Sequence, residues 1–165
     1  MVGLTAIFWM FVLIFAAIGL MRGWARELLV TFALILGLFV ISVLERFAPF
    51  IPATLTGGGS TVPLFWLRCF IVLALVFFGY QTPNIPRLAG TGKFARERVQ
   101  DSLLGFFLGA INGYLIVGTI WWFLDQAGYP FELVLAPVPG TPQGDAAIRM
   151  VSMLPPTWMS TPVIY

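Results

Sequence analysis

Leu103–Leu124 reads LLGFFLGAINGYLIVGTIWWFL and contains no charged residue. A helix needs ~17–25 apolar residues to cross a bilayer. In hydrocarbon a helix also satisfies its own backbone polar groups, which an open strand cannot do. Three further stretches read the same way: Val2–Met21, Leu28–Leu44 and Leu64–Tyr80. The expected fold is an all-α integral membrane protein with four transmembrane helices and a Pro-rich outer C-terminal tail. Residues 1–125 are expected to form the four-helix transmembrane domain, and residues 126–165 an extracytoplasmic or interfacial tail.

Composition agrees with that reading. Of 165 residues, 59% are hydrophobic and 10% are charged, where soluble domains carry about a quarter charged. The net charge of +2 is too small to suggest nucleic-acid binding. The chain has no His, so the commonest metal ligand, general base and haem ligand are missing. The single Cys69 lies inside a span, where a cysteine reads as a small packing residue. No catalytic residue, metal site or cofactor is expected. The first charge, Arg22, follows the first apolar run. A signal peptide has its basic residues before that run, so Val2–Met21 reads as a retained span.

Charge sets the orientation. Arg22 and Arg26 occupy the first turn, and Arg87, Lys93, Arg96 and Arg98 the long loop between spans three and four. On the other side Arg46 and Arg149 are balanced by Glu45, Asp125, Glu132 and Asp145. Positive loops stay cytoplasmic, which places both termini outside.

Within span four Gly105, Gly109 and Gly113 recur at every fourth position. Such small-residue stripes let helix backbones approach closely, which matters where apolar burial cannot drive helix association. Asn112 is expected on the same stripe, hydrogen-bonding across the interface. Gly19, Gly23 and Gly37 are further close-packing candidates. Arg22 and Arg26 would lie one turn apart on a continuing helix. They read as snorkelling residues that set orientation, or as contacts for lipid head groups or a partner carboxylate.

Span two looks short, and Arg26, Glu27, Glu45 and Arg46 could snorkel to cover the mismatch. Arg68 sits about one turn inside span three. It either snorkels or pairs with Glu45, Asp125 or a partner's carboxylate. No acidic residue lies inside any proposed span, which weakens a proton relay.

The loop Glu45–Pro63, with Pro49, Pro52, Pro63 and the run Gly57–Ser60, is expected to be irregular. Gln81–Gly92 should also be irregular. Lys93–Asp101 could form a short interfacial helix, with Asp101 or Ser102 capping span four. The tail contains too many prolines for a fifth span. Asp145–Leu154 could be a short helix, and Trp158 and Tyr165 are natural interfacial anchors. The tail is expected on the membrane surface or against a partner.

Two stretches resemble the colicin V production protein (CvpA) family of bacterial membrane proteins. They are GLMRGWARELL at Gly19–Leu29 and DSLLGFFLGAINGYLIVGTIWWFLD at Asp101–Asp125. The four-span layout over residues 1–125 is also similar. Where that family often has a basic residue before the third glycine, this chain has Asn112. The resemblance implies a bacterial plasma membrane location and a role in export or envelope physiology, with no established catalytic residue.

The expected function is that of a non-catalytic accessory subunit, packed with other integral subunits and lipid into a larger bacterial inner-membrane complex. An electron-transport complex is the preferred host. The alternatives are a CvpA-like protein in export or envelope maintenance, and a small transporter or channel using Arg68 and Asn112.

Overall fold

Gly23 decides how the first two spans meet. Its φ of 84° lies in the left-handed region that glycine enters at little cost. The computed structural model describes residues 3–81, 95–132 and 134–159. In it α1 (Leu4–Arg22) ends at Gly23 and α2 (Trp24–Phe47) begins directly after it. Arg22 and Arg26 are therefore not one turn apart on a continuous helix.

Among the described residues the remaining elements are α3 (Phe50–Thr56), α4 (Val62–Tyr80), α5 (Ala95–Gln126), α6 (Pro142–Val151) and α7 (Pro155–Met159), with no strand. Helices α1, α2 and α4, and the Val99–Gln126 part of α5, are long and apolar enough to cross a membrane. The protein is an all-α, multi-pass membrane protein.

Several expected boundaries move. α2 has 24 residues, or ~36 Å at ~1.5 Å per residue, so span two is not short. Its terminal charges end the apolar window without ending the helix. α3 forms inside the loop expected to be irregular. Pro52 falls in its first turn, where a missing N–H removes no helical hydrogen bond. Asp101 and Ser102 lie within α5, not at its start. The connection 82–94 lies outside the described residues, and so does Tyr165.

α5 is the central helix. Within the apolar windows 44% of its residues are buried, against 22–33% for the other three. α1 runs antiparallel along one side of it, and α2 and α4 pack on the other. α2 and α4 meet where Gly37 faces Val72 and Gly79 faces Ala33 and Val30. Val30, Leu34, Phe65, Val72, Ile116 and Phe123 belong to the core on that side. A second core joins Phe8 and Val12 of α1 to Trp121, Ala147 and Leu154.

The tail therefore packs on its own bundle. Leu154, Pro155, Pro156 and Met159 are buried. The linking turn is pinned at Tyr129, whose hydroxyl accepts from Trp121 Nε1 at 3.1 Å and donates to Asp125 Oδ1 at 3.2 Å. Burial pushes this phenol up to about 12, helped by the Asp125 carboxylate and opposed by the Trp121 hydrogen bond.

Candidate functional site

The polar site begins with Glu27, in the first turn of α2 and fully buried. Starting α2 at Trp24 turns this position inward. Arg22, in the last turn of α1, donates from Nη1 to Glu27 Oε1 at 3.0 Å. Its Nη2 donates to the Tyr80 carbonyl at 3.0 Å, which ties down the C-terminus of α4. The guanidinium also lies 4.3 Å from the centre of the Tyr80 ring, within cation–π range.

Asn112 completes the cluster from α5 and is itself fully buried. Its Nδ2 donates to both Glu27 Oε2 and the Glu27 carbonyl, each at 2.9 Å. The Thr31 hydroxyl donates to Asn112 Oδ1 at 2.7 Å and lies 3.1 Å from the Glu27 carbonyl. One carboxylate thus joins α1, α2 and α5, and its arginine reaches α4. Glu27 is the residue that sequence reading missed, since it stood outside every proposed span. Its signal was a carboxylate one residue from an apolar run and a few residues from Arg22.

Beside this cluster the glycine stripe faces α1. A Cβ on Gly19 would lie 2.8 Å from Gly109 Cα, and one on Gly105 would lie 2.9 Å from Gly23 Cα. A Cβ on Gly113 would meet Phe15 Cβ at 2.8 Å and Val12 Cα at 3.0 Å. Asn112 leaves that stripe: it is offset by ~100° from Gly113 and addresses α2. Gly23 is also overhung by the Asp101 carboxylate. Arg26 is partly buried in the first turn of α2.

The other end of the bundle holds a second pair. Arg68 Nε donates to Glu45 Oε1 at 2.7 Å, joining α4 to α2, with the guanidinium 5.8 Å from the Phe123 ring centre. Of the alternatives for Arg68, the structure has the pair with Glu45. This pair is more exposed: the Glu45 side chain is 32% accessible, against 0% for Glu27. Glu45→Ala leaves Arg68, 18% accessible, without its counter-charge beside an opened surface, and is expected to cost about 1–3 kcal/mol. Denaturant titration of the detergent-solubilised protein checks this. Trp158, half-exposed on α7, donates from Nε1 to the Met153 carbonyl at 3.3 Å.

Between α1 and α4, over α5, runs an apolar groove of about 760 Å³ lined by Phe15, Cys69, Ala74, Phe77, Tyr80 and Ile116. Among the described residues no three His, Cys, Asp or Glu side chains gather as a metal-binding group.

Comparison with protein-family models, curated proteins and solved structures gives no match. The chemistry must be read from the site itself. Arg22, Glu27, Thr31 and Asn112 hydrogen-bond to one another, so the cluster joins helices. An unsatisfied buried charge would cost several kcal/mol, and here both charged groups have partners.

Proposed function

We propose that this protein is a non-catalytic accessory subunit of a larger assembly in a bacterial plasma membrane, with both termini on the extracytoplasmic side. The observation that carries the reading is the closed cluster of Arg22, Glu27, Thr31 and Asn112. These groups are spent on one another, while α1, α2 and α4 turn aromatic and aliphatic side chains outward. Such a body is rigid within and apolar without, which suits packing among lipids and other integral subunits. An electron-transport complex remains the preferred host.

Native electrophoresis of membranes in mild detergent tests the reading. The protein is expected to migrate in a large complex together with other membrane subunits. Migration as a lone small protein or a simple homo-oligomer would count against it.

A second reading, a CvpA-like role in export or envelope maintenance, is favoured by one contact. The two stretches that carry that resemblance meet each other: Gly19 and Gly23 pack on Gly105 and Gly109, and Glu27 bonds to Asn112. A deletion strain with intact respiration but altered secretion or envelope sensitivity would favour this reading over the first. Transport through Arg68 and Asn112 has less support, because the two are engaged in separate contacts, with Glu45 and Glu27.

A further inference from the structure

The segment after α5 does not stay at the end of the bundle. α6 starts beside Gly3, where Gln143 lies 3.8 Å from a Cβ placed on that residue. From there it runs inward, and Ala147 joins the cluster of Phe8 and Trp121. Its turn comes within reach of the Tyr114 side chain, whose hydroxyl donates to the Met153 carbonyl. Leu154 and Pro155 then press on Gly118, with Pro155 Cδ 2.7 Å from where a Cβ would stand. α7 leads back outward, where Pro156 lines a cavity with Ser42 and Arg68.

These positions can be converted to depth. Thr61, which precedes α4, donates its hydroxyl to the Ala127 carbonyl at 2.7 Å, so the start of α4 and the end of α5 are level. The 19 residues of α4 span ~28 Å, close to a hydrocarbon core of ~30 Å. Measured down α5 from Gln126, Gly118 lies ~12 Å deep and Tyr114 ~18 Å deep. We infer that Pro142–Met159 is a re-entrant hairpin, which enters the hydrocarbon beside α1 and α5, turns near mid-depth and heads back toward the side it came from.

The chemistry of the turn fits that depth. Non-helical backbone there must have its polar groups met by protein. The Met153 and Leu154 N–H groups donate to Met150 and Val151 at 2.9 and 3.2 Å. The Arg149 carbonyl accepts from Ser152 Oγ, and the Leu154 carbonyl from Thr157 Oγ1, each at 2.7 Å. The Met153 carbonyl takes both the Tyr114 hydroxyl and Trp158 Nε1. Pro155 and Pro156 have no N–H to satisfy. Outward, the hairpin presents Ile148, Met153 and Trp158, all suited to lipid. Arg149 is its exposed charge, with a stem long enough to carry the guanidinium back toward the interface. On the inner side Pro156 walls a cavity of about 90 Å³ with Ser42, Glu45 and Arg68. That is room for about three waters.

Thiol labelling in sealed membranes tests the depth. With Cys69→Ala as background, Gln143→Cys, Ser152→Cys and Met153→Cys are each exposed to a charged, membrane-impermeant maleimide. The attacking species is the thiolate, which hydrocarbon suppresses. Ser152→Cys and Met153→Cys are therefore expected to react at least ~10-fold more slowly than Gln143→Cys, and fully once the membrane is dissolved in SDS. Ser152 and Met153 are both exposed on the chain's surface, so slow labelling reports lipid and not protein burial. Reaction of both at the Gln143→Cys rate in intact membranes would overturn the inference. The added variant Gly118→Leu should expel Pro155 and raise labelling of Ser152→Cys toward that rate; unchanged slow labelling in the folded variant counts against the seating of the turn on Gly118.

Discussion

Gly109→Leu is expected to abolish the folded bundle or to lower its stability by more than ~3 kcal/mol. Overfilling a packed site usually costs ~1–3 kcal/mol, because neighbouring side chains can shift. Here the first atoms met belong to backbone. A Cβ on Gly109 would stand 2.9 Å from Gly19 Cα and 3.1 Å from Gly19 N, and would collide with the Phe15 carbonyl. Helix backbone yields only if α1 and α5 separate, and separation also pulls Arg22 away from Glu27. Two controls isolate the cause. A Cβ on Gly37 meets Val72 Cα at 3.4 Å, and one on Gly58 meets nothing within 4 Å, so Gly37→Ala and Gly58→Ala should remain near the parent. The readout is the amount of monodisperse protein surviving a heating series in detergent. A Gly109→Leu protein as heat-resistant as the parent would refute close backbone contact between α1 and α5.

Glu27→Ala should be the most damaging single truncation among the polar residues, at about 3–5 kcal/mol. Removing the carboxylate leaves the Arg22 guanidinium, only 16% accessible, without its counter-charge. It also deprives Asn112 Nδ2 of one of its two acceptors. The two losses differ in weight. The Asn112 amide is neutral and keeps the Glu27 carbonyl as an acceptor, so the stranded charge decides the outcome. Glu27→Met with Arg22→Met removes both charges together and should be less harmful than the sum of the single changes. SDS titration of the four proteins closes that cycle. Strict additivity would mean that the pair does not act as a unit in the folded state.

The contrast with Glu45→Ala follows from the same physics. Both pairs join two spanning helices, and the stranded arginines start alike, 16% accessible at Arg22 and 18% at Arg68. The space left differs: Glu45 is about a third accessible, so its removal opens Arg68 to the surface, whereas the space left by the fully buried Glu27 is closed. A larger effect at Glu27 than at Glu45 is therefore the pattern expected from burial of the carboxylate, not from charge type.

How far the sequence could be read depended on the range of each interaction. The stripe Gly105–Gly109–Gly113 was visible because helical geometry alone puts those positions on one face. Its partner was not visible, since any of three other spans could have supplied it. Glu27 escaped notice because hydropathy windows stop at charges, whereas the helix continues through Arg26 and Glu27 and turns the carboxylate inward. α3 was missed because Pro52 reads as a breaker unless its place in the first turn is known. The tail was legible as too proline-rich to span the membrane, but nothing local said that Leu154–Pro156 would lie against Gly118.

Sequence by itself determined the solvent of this protein, the number of its helices long and apolar enough to cross a membrane, and the side chains it lacks. Apolar run length, glycine spacing and the absence of histidine are properties of the chain before it folds. Tertiary structure alone decided that α1 and not α2 lies on the glycine stripe, that Asn112 turns to Glu27, and that Arg68 takes Glu45. Those choices join residues far apart in the chain. Each depends on the close approach of whole helices, and that approach is set by backbone contact, at Gly19, Gly105 and Gly109 between α1 and α5 and at Gly37 and Gly79 between α2 and α4, rather than by any local preference.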